Sequence, residues 1–181
     1  MVAAAVAALG FAAGCAGPPE RPDSAPPFGP GCSAVPRSGM GSFAEMSGDP
    51  VVTAASHLPM LTEWVHAVHE ADMVATFDRL DHLTVFAPDN AAFARLPKDQ
   101  LHQIYQDKDQ VSKILTYQIV GHRVAPAELP DGSFTTLAKG TLTTRRSGSG
   151  YQVGDAKVVC GNIRTGNAQL YITDRVLTPP P

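Results

Sequence analysis

Apolar residues recur at helical spacing in the part of the chain that follows residue 48. The clearest case comes after Pro59, where Leu61, Trp64, Val65 and Val68 fall at positions i, i+3, i+4 and i+7. This spacing places the four side chains on one side of a helix and predicts that they form its buried stripe. The polar residues between them then form the solvent-facing side.

Further helices are predicted where capping or turn-shaping residues precede apolar positions. The predicted starts are Asp49-Pro50, Asp89 or Asn90, and Pro97. After Pro97, a shared apolar face is predicted for Leu101, Ile104 and Tyr105. The i, i+3, i+4, i+7 spacing then resumes at Val111, Ile114, Leu115 and Gln118, which predicts a helix continuing up to Gly121.

Short runs of strand-forming residues dominate the chain beyond Gly121. An isolated earlier run at 83–87 ends at Pro88, and the later runs are 133–137, 141–144, 151–153, 157–160 and 169–176. Turn residues such as those at 147–150 separate them. Helices that come first and strands that follow predict a single α+β domain rather than alternating βαβ units.

The N-terminal residues differ from the rest of the chain. Residues 2–13 form an apolar run that is too short to span a bilayer, which needs about 20 residues, but has the length of a secretory signal. It leads through small residues into Cys15, which resembles the lipobox of bacterial prolipoproteins. An ordinary cleaved signal peptide, with Cys15 an incidental thiol, is the alternative.

A proline-rich stretch follows Cys15 and separates the apolar run from the domain. Its prolines recur too often for regular backbone pairing, which favours an extended, solvated spacer or a disordered tail. We therefore divide the chain into a lipoprotein-type signal peptide over 1–14, a lipidated Cys15 with a tether over 15–45, and a domain over 46–180.

Composition and motifs narrow the function. A net charge of −3 and a pI near 6.0 argue against a nucleic-acid partner. The sequence contains none of the nucleophile-elbow, phosphate-loop, dinucleotide or zinc-helix motifs of common enzymes. His66 and His69, with Glu63 and Glu70, could bind a metal on one helical surface, although an ordinary polar helix face explains them better. We therefore assign no catalytic residue, metal or cofactor.

Three segments, at 84–93, 114–120 and 170–180, together resemble the fasciclin-type (FAS1) domain over roughly residues 46–180. The first matches the family's strand-to-helix motif except at Asp89, and the third matches its closing strand except at Thr173. The matched positions are Thr84, Phe86, Ala87, Pro88, Asn90, Phe93, Tyr117, Asp174, Val176, Leu177 and Pro179. The resemblance implies N-terminal helices packed on a C-terminal β-sheet wedge and a mainly structural role for these residues.

The resemblance also bears on individual residues. Residues 158–162, 167–168 and 29–32 are similar to the secreted and lipid-anchored mycobacterial antigens of the family, which implies a Cys32–Cys160 disulfide if Cys15 carries lipid. Two free buried thiols are the alternative. Many fasciclin domains have Tyr-His where this chain has Tyr117-Gln118, and that region is implicated in integrin adhesion in animal members. Here we expect Tyr117 to pack in the core instead.

Three functions are compatible with these features. The favoured one is an exported, lipid-anchored, non-enzymatic surface protein, monomeric in its domain, that adheres to an unknown extracellular protein or glycan. It would be extracytoplasmic, attached to the cell membrane by lipid and in part secreted. The second is a module that binds an envelope lipid or glycan in a groove. The third is an enzyme that uses the histidine-rich helix.

Overall fold

The computed structural model describes residues 25–180, in which helices precede most of the strands as predicted. The helices are α1 (Phe43–Met46), α2 (Val51–Ser56), α3 (Thr62–Glu70), α4 (Val74–Arg79), α5 (Asn90–Ala94), α6 (Lys98–Gln106) and α7 (Lys108–Tyr117). The strands are β1 (Leu83–Pro88), β2 (Ile119–Val120), β3 (Ser133–Thr135), β4 (Thr141–Ser147), β5 (Gly150–Val153), β6 (Ala156–Arg164) and β7 (Ala168–Thr173). Short 3₁₀ helices occupy Pro30–Ala34, Pro59–Leu61 and Pro126–Glu128.

The seven strands form one mixed sheet in the order β2-β1-β7-β6-β5-β4-β3. Among the neighbouring strands of the described residues only β1 and β7 are parallel, and the other pairs are antiparallel. An isolated bridge between Val120 and Thr136 brings the β2 end of the sheet beside the end of β3. The sheet therefore nearly closes into a barrel.

The parallel strands β1 and β7 are buried on both faces. Val85 and Ala87 of β1 face a core built with the helices, whereas Phe86 between them faces a second core inside the near-barrel. In β7, Leu170 faces the helical core and Tyr171 the second core. Side chains that alternate between two apolar environments explain why every residue of both strands is buried.

The last predicted helix ends earlier than expected, and two helices, α1 and α4, were not predicted. Helix α7 stops at Tyr117 rather than continuing up to Gly121, because Ile119 and Val120 pair with β1. Pairing with a buried strand satisfies the backbone groups of these residues as well as a helix would. Helices α1 and α4 were not predicted, since both are short and each buries a single side chain, Met46 in α1 and Phe77 in α4.

The domain begins earlier than the boundary predicted at residue 46. Phe28 forms an antiparallel bridge with Gly161, and its ring centroid lies 5.2 Å from that of Tyr151. Val35 is also buried in the helical core. The tether predicted over 15–45 therefore overlaps the folded domain from Phe28 onward, while the signal peptide and Cys15 lie outside the described residues. In the described part of the chain, no helix has the length and apolarity to cross a membrane.

Candidate functional site

The junction between β1 and α5 carries the first family motif. Asp89 caps α5 as predicted, and its Oδ1 accepts a hydrogen bond of 2.7 Å from the backbone N–H of Ala92. Asn90 instead holds the start of α3: its Oδ1 accepts from the Glu63 N–H at 3.0 Å and its Nδ2 donates to the Pro59 carbonyl at 2.9 Å. The motif thus fastens α3 and α5 to the end of β1.

Thr84 and Phe86 support the opposite side of the same strand. The Thr84 hydroxyl donates to the His122 carbonyl and accepts from the Val124 N–H, both at 2.7 Å. The ring of Phe86 stacks on Tyr171 with centroids 5.4 Å apart. Both side chains are fully buried and serve the second core.

Tyr117 packs in the core at the end of α7, as expected from the sequence. Its side chain is 7% exposed, and its hydroxyl donates to the Thr141 carbonyl at 3.0 Å. Burial raises the pKa of the Tyr117 phenol. A ring enclosed in this way has little surface to offer a receptor.

Asp174 lies at the rim of the sheet, where its carboxylate is paired. Its Oδ1 accepts from the Lys157 N–H at 2.7 Å, and its Oδ2 lies 3.3 Å from Nη1 of Arg95, which also donates to the Asp174 carbonyl at 2.7 Å. These bonds join the end of β7 to β6 and to the residue after α5. The role of Asp174 in this geometry is structural.

The cysteines at 32 and 160 form a disulfide, as the resemblance implied. Their Cα atoms are 4.8 Å apart although 128 residues separate them in sequence. The bond fastens the 3₁₀ helix Pro30–Ala34 to β6. Gly29 precedes that helix with φ +110°, and a Cβ there would collide with the Val159 carbonyl, so only glycine allows this close approach.

The histidine-rich face of α3 does not assemble a metal site. Nδ1 of His66 lies 3.9 Å from Glu70 Oε1, and both side chains are about half exposed. His69 points to solvent. Within residues 25–180 no group of three or more His, Cys, Asp or Glu side chains is placed to hold an ion.

An apolar crevice lies among α3, α5, α6 and α7 and encloses about 20 Å³ of space, enough for roughly one water molecule. It is lined by Ala67, Phe93, Leu96, Leu101, Ile104, Tyr105, Val111, Ile114, Leu115, Gln118 and Val176. Tyr105 and Gln118 are its only lining residues with polar side chains, and their unpartnered oxygens are buried rather than exposed to the crevice. No pair of ionisable groups converges there for acid–base chemistry. Of the motif residues, Phe93 and Val176 line the crevice, whereas Leu177 is buried in the second core.

Sequence analysis did not identify this crevice. Its walls come from four helices and the segment after β7, so no local motif describes it. One residue could have indicated it. Gln118 continues the apolar stripe of α7, and a polar residue in such a stripe must find a buried partner or face a cavity.

Tyr105 gives the crevice a measurable pH dependence. Burial, followed by the charges of Glu63 and Glu70, raises the pKa of its phenol to about 12. The neutral Tyr105 phenol therefore makes its full contribution to the free energy of unfolding below pH 10. That contribution is lost as the pH rises towards 12. Between pH 8 and 11 the loss should be at most roughly 1 kcal/mol, because solvent screens a half-buried phenol.

In urea unfolding measured from pH 8 to 11, the free energy of unfolding of the Tyr105→Phe variant should fall less with pH than that of the wild type, because the variant has no Tyr105 phenol to ionise. At neutral pH it should cost little, because the hydroxyl is buried without a partner among the described residues. Tyr171→Phe is the matched comparison. Its phenol also has a pKa raised by burial, but its hydroxyl donates to the Val124 carbonyl at 2.7 Å, so the loss at neutral pH should be about 1–2 kcal/mol. An unchanged alkaline slope in Tyr105→Phe would contradict the assignment.

Comparisons with known proteins agree with this architecture. The family model described as the fasciclin domain matches residues 59–179. Immunogenic protein MPB70 of Mycobacterium bovis is 38% identical over 160 residues, covering 84% of this chain and 82% of its own. Cell surface glycolipoprotein MPT83 of Mycobacterium tuberculosis is 38% identical over 161 residues, covering 84% of this chain and 72% of its own.

A solved structure shares the fold. It is the FAS1 domain pair of the insect cell adhesion molecule fasciclin I, with a TM-score of 0.54 and 19% sequence identity. The match covers 67% of this chain and 46% of that one, as expected where one domain aligns with one member of a pair.

Proposed function

The chain belongs to the fasciclin domain family, and from that premise we propose that it is an exported, lipid-anchored, non-enzymatic protein that adheres to a protein or glycan outside the cell. The observation that carries the proposal is the 38% identity, over most of both chains, to proteins named cell surface glycolipoproteins. The same identity extends to immunogenic proteins named without an anchor. Relatives of both kinds support an extracytoplasmic location.

The position of Cys15 supports the anchor. Twelve residues, 16–27, lie between Cys15 and Phe28, where the chain joins the sheet. A chain of that length reaches at most roughly 40 Å, at about 3.3–3.6 Å per residue. A lipid on Cys15 would therefore hold the domain close to the membrane while leaving its surface accessible.

The roles of the family residues support a binding rather than a catalytic function. The polar groups of three of them form hydrogen bonds to other parts of the domain; these residues are Asn90, Thr84 and Asp174. Their arrangement stabilises the domain and leaves recognition to its exposed surface.

Replacing Cys15 tests the anchor. In a bacterial host that processes lipoproteins, Cys15→Ser should lose metabolic palmitate labelling and leave the membrane fraction, while the matched Ala16→Ser keeps both. The measurement is labelling combined with detergent-phase partition and intact mass. A Cys15→Ser protein that stays in the membrane fraction and is cleaved as before would show that the anchor does not depend on this cysteine.

Adhesion requires its own test. Biotinylated full chain should retain a specific protein or glycan from panels of extracellular matrix proteins and envelope glycans. The same chain, reduced and alkylated so that the Cys32–Cys160 bond cannot form, is the control. Equal retention by both forms, or none by either, would count against folded-state adhesion to these classes.

A further inference from the structure

Charge is divided unevenly along the chain. Residues 133–181, from the start of β3 onward, contain six Lys or Arg and two Asp or Glu, whereas the preceding residues contain eight and fifteen. Both acidic residues of this basic part are paired. Asp155 Oδ2 lies 3.7 Å from Arg175 Nη1, and Asp174 Oδ2 lies 3.3 Å from Arg95 Nη1. A strong charge asymmetry between two parts of a chain indicates contact with an anionic surface.

The basic part presents an exposed basic face, formed by Arg145, Arg146 and Lys157. Arg145 of β4 is opposite Gln152 of β5, which is opposite Lys157 of β6. Directly opposed residues lie on the same side of a sheet, so the Cα atoms of Arg145 and Lys157 are roughly 10 Å apart across two strand spacings. Arg146 adjoins them, with its guanidinium carbon 5.6 Å from the centroid of the Tyr151 ring.

Carboxylates do not neutralise the basic face. In the described part of the chain, none of its three side chains forms an ion pair. Arg145 donates from Nη2 to Gln152 Oε1 at 3.1 Å, which is a neutral partner. Asp131 lies in the segment beside β4, where the Arg146 N–H donates to the Pro130 carbonyl, but its carboxylate is likewise unpaired within that part. The positive charge is therefore available to an external anion.

A depression open to solvent adjoins the basic face. Its volume is about 210 Å³, about ten times that of the apolar crevice. The lining includes Pro30, Lys157 and the hydroxyl-bearing Ser147, Ser149 and Tyr151. An ammonium group and three hydroxyl groups can all donate to the oxygens of a phosphate.

The N-terminal segment joins the domain beside the basic face. Pro30 lines the depression, and the Phe28 ring lies 5.2 Å from that of Tyr151, centroid to centroid. The lipid proposed on Cys15 is at most roughly 40 Å along the chain from Phe28. The basic face therefore lies on the side of the domain that the anchor holds towards the bilayer.

We propose that the basic face docks on anionic phospholipid headgroups of the membrane that holds the anchor, with a headgroup phosphate in the depression beside Lys157. This inference rests on the proposed lipid anchor and adds the orientation of the domain to it. The membrane is favoured over a soluble polyanion because the anchor keeps the headgroups at a high effective concentration. The acidic part, which includes all seven helices, then faces away from the membrane.

Lysine methylation on vesicles tests the orientation. The full chain, produced in a host that processes lipoproteins, is inserted into preformed vesicles of phosphatidylcholine, alone or mixed equally with phosphatidylglycerol. Formaldehyde with a borane reductant is uncharged, and methylation keeps the lysine charge, so labelling preserves the basic face. Peptide mass spectrometry then gives the methylation rate at each lysine.

At low salt, Lys157 should react about tenfold more slowly on the phosphatidylglycerol vesicles. Each basic residue at an anionic surface contributes about a fivefold preference, so three outweigh the cost of fixing the orientation. Lys98 and Lys113, exposed on α6 and α7, should react equally on both vesicles. High salt should abolish the difference at Lys157.

Two double variants with the same loss of charge separate the basic face from net charge. Arg145→Gln with Arg146→Gln should bring the Lys157 rate on the two vesicles to within about twofold of each other. Lys98→Gln with Lys108→Gln removes two exposed charges from the acidic part and should keep the difference of about tenfold.

Flotation distinguishes the failure of the anchor from the failure of docking. A chain that does not float with phosphatidylcholine vesicles lacks the anchor, and both proposals then fail. A chain that floats but reacts equally at Lys157 on both vesicles overturns the docking alone, as do equal slowing at Lys113 and identical behaviour of the two double variants. Slowing of Lys157 by heparin but not by the vesicles would assign the basic face to a soluble polyanion and would also overturn it.

Discussion

Removing the disulfide by Cys32→Ala with Cys160→Ala is expected to lower the free energy of unfolding by about 5 kcal/mol. The bond closes a loop of 128 residues, and in the chain-entropy model a loop of this size restricts the unfolded chain strongly. Because domains of this size are commonly stable by only about 5–15 kcal/mol, the variant should be only marginally folded.

The loss should also have a local component. The disulfide holds the segment around Pro30–Ala34 against β6, next to the bridge between Phe28 and Gly161. Without it, amide hydrogen exchange at Phe28 and Gly161 should accelerate more than exchange in β1 or β7. Strands β1 and β7 are buried on both faces and should open only with global unfolding.

Urea unfolding of the full chain measures the global effect, and Cys15→Ala is the control that removes a thiol outside the bridge. A loss of less than about 1 kcal/mol in the double variant would contradict the entropic account. It would mean that the unfolded chain is already compact, or that the packing of Phe28 and Val35 holds the N-terminal segment unaided.

The parts of the fold that depend on neighbouring residues could be predicted from the sequence. The strand ending at Pro88, the cap at Asp89 and the buried stripe at Leu61, Trp64 and Val68 all follow from local chemistry. Partners distant in sequence decide the remainder. Ile119 and Val120 form a strand only because β1 lies beside them, and Phe28 joins the domain only because Gly161 and Tyr151 receive it.

The same distinction applies to the candidate site. The family motif is contiguous, so its residues could be named from the sequence, but the functions of their side chains could not. The sequence offered Asp89 or Asn90 as the cap of α5; Asp89 is the cap, and the Asn90 amide instead holds Glu63 and Pro59, 27 and 31 residues away. The crevice was missed because four helices and Val176 assemble it, and the sequence contains only the separate stripes.

Asn167 has the second large expected effect, and although it lies in a segment similar to the mycobacterial antigens, its role could not be predicted from the sequence. Its side chain is 6% exposed and precedes β7. Oδ1 accepts from the Val51 N–H, and Nδ2 donates to the carbonyls of Phe77 and Leu80, all at 2.8 Å. The Asn167 amide therefore accepts a hydrogen bond from the first turn of α2, where the sequence predicted a cap from Asp49. It also holds the C-terminal end of α4 through the two carbonyls.

Asn167→Ala should lower the free energy of unfolding by about 3–4 kcal/mol, because it leaves several buried polar groups without partners. Urea unfolding measures the loss, and Gln110→Ala, on an exposed face of α7, should stay within about 0.5 kcal/mol of the wild type. A loss below about 1 kcal/mol for Asn167→Ala would show that water replaces the amide at this junction.

Asn167→Asp separates the acceptor from the two donors. Its carboxylate still accepts from the Val51 N–H but faces the carbonyl oxygens of Phe77 and Leu80. Burial and these oxygens should raise the pKa of the new carboxyl in the folded state, since only its protonated form can donate to a carbonyl. The variant should therefore come closest to the wild type below pH 4 and lose stability as the pH rises through the folded-state pKa. Asn167→Ala has no such carboxyl, so its loss of unfolding free energy relative to the wild type should stay constant over the same pH range. If the two variants show parallel pH profiles, the Asn167 Nδ2 does not hold the Phe77 and Leu80 carbonyls in the way described.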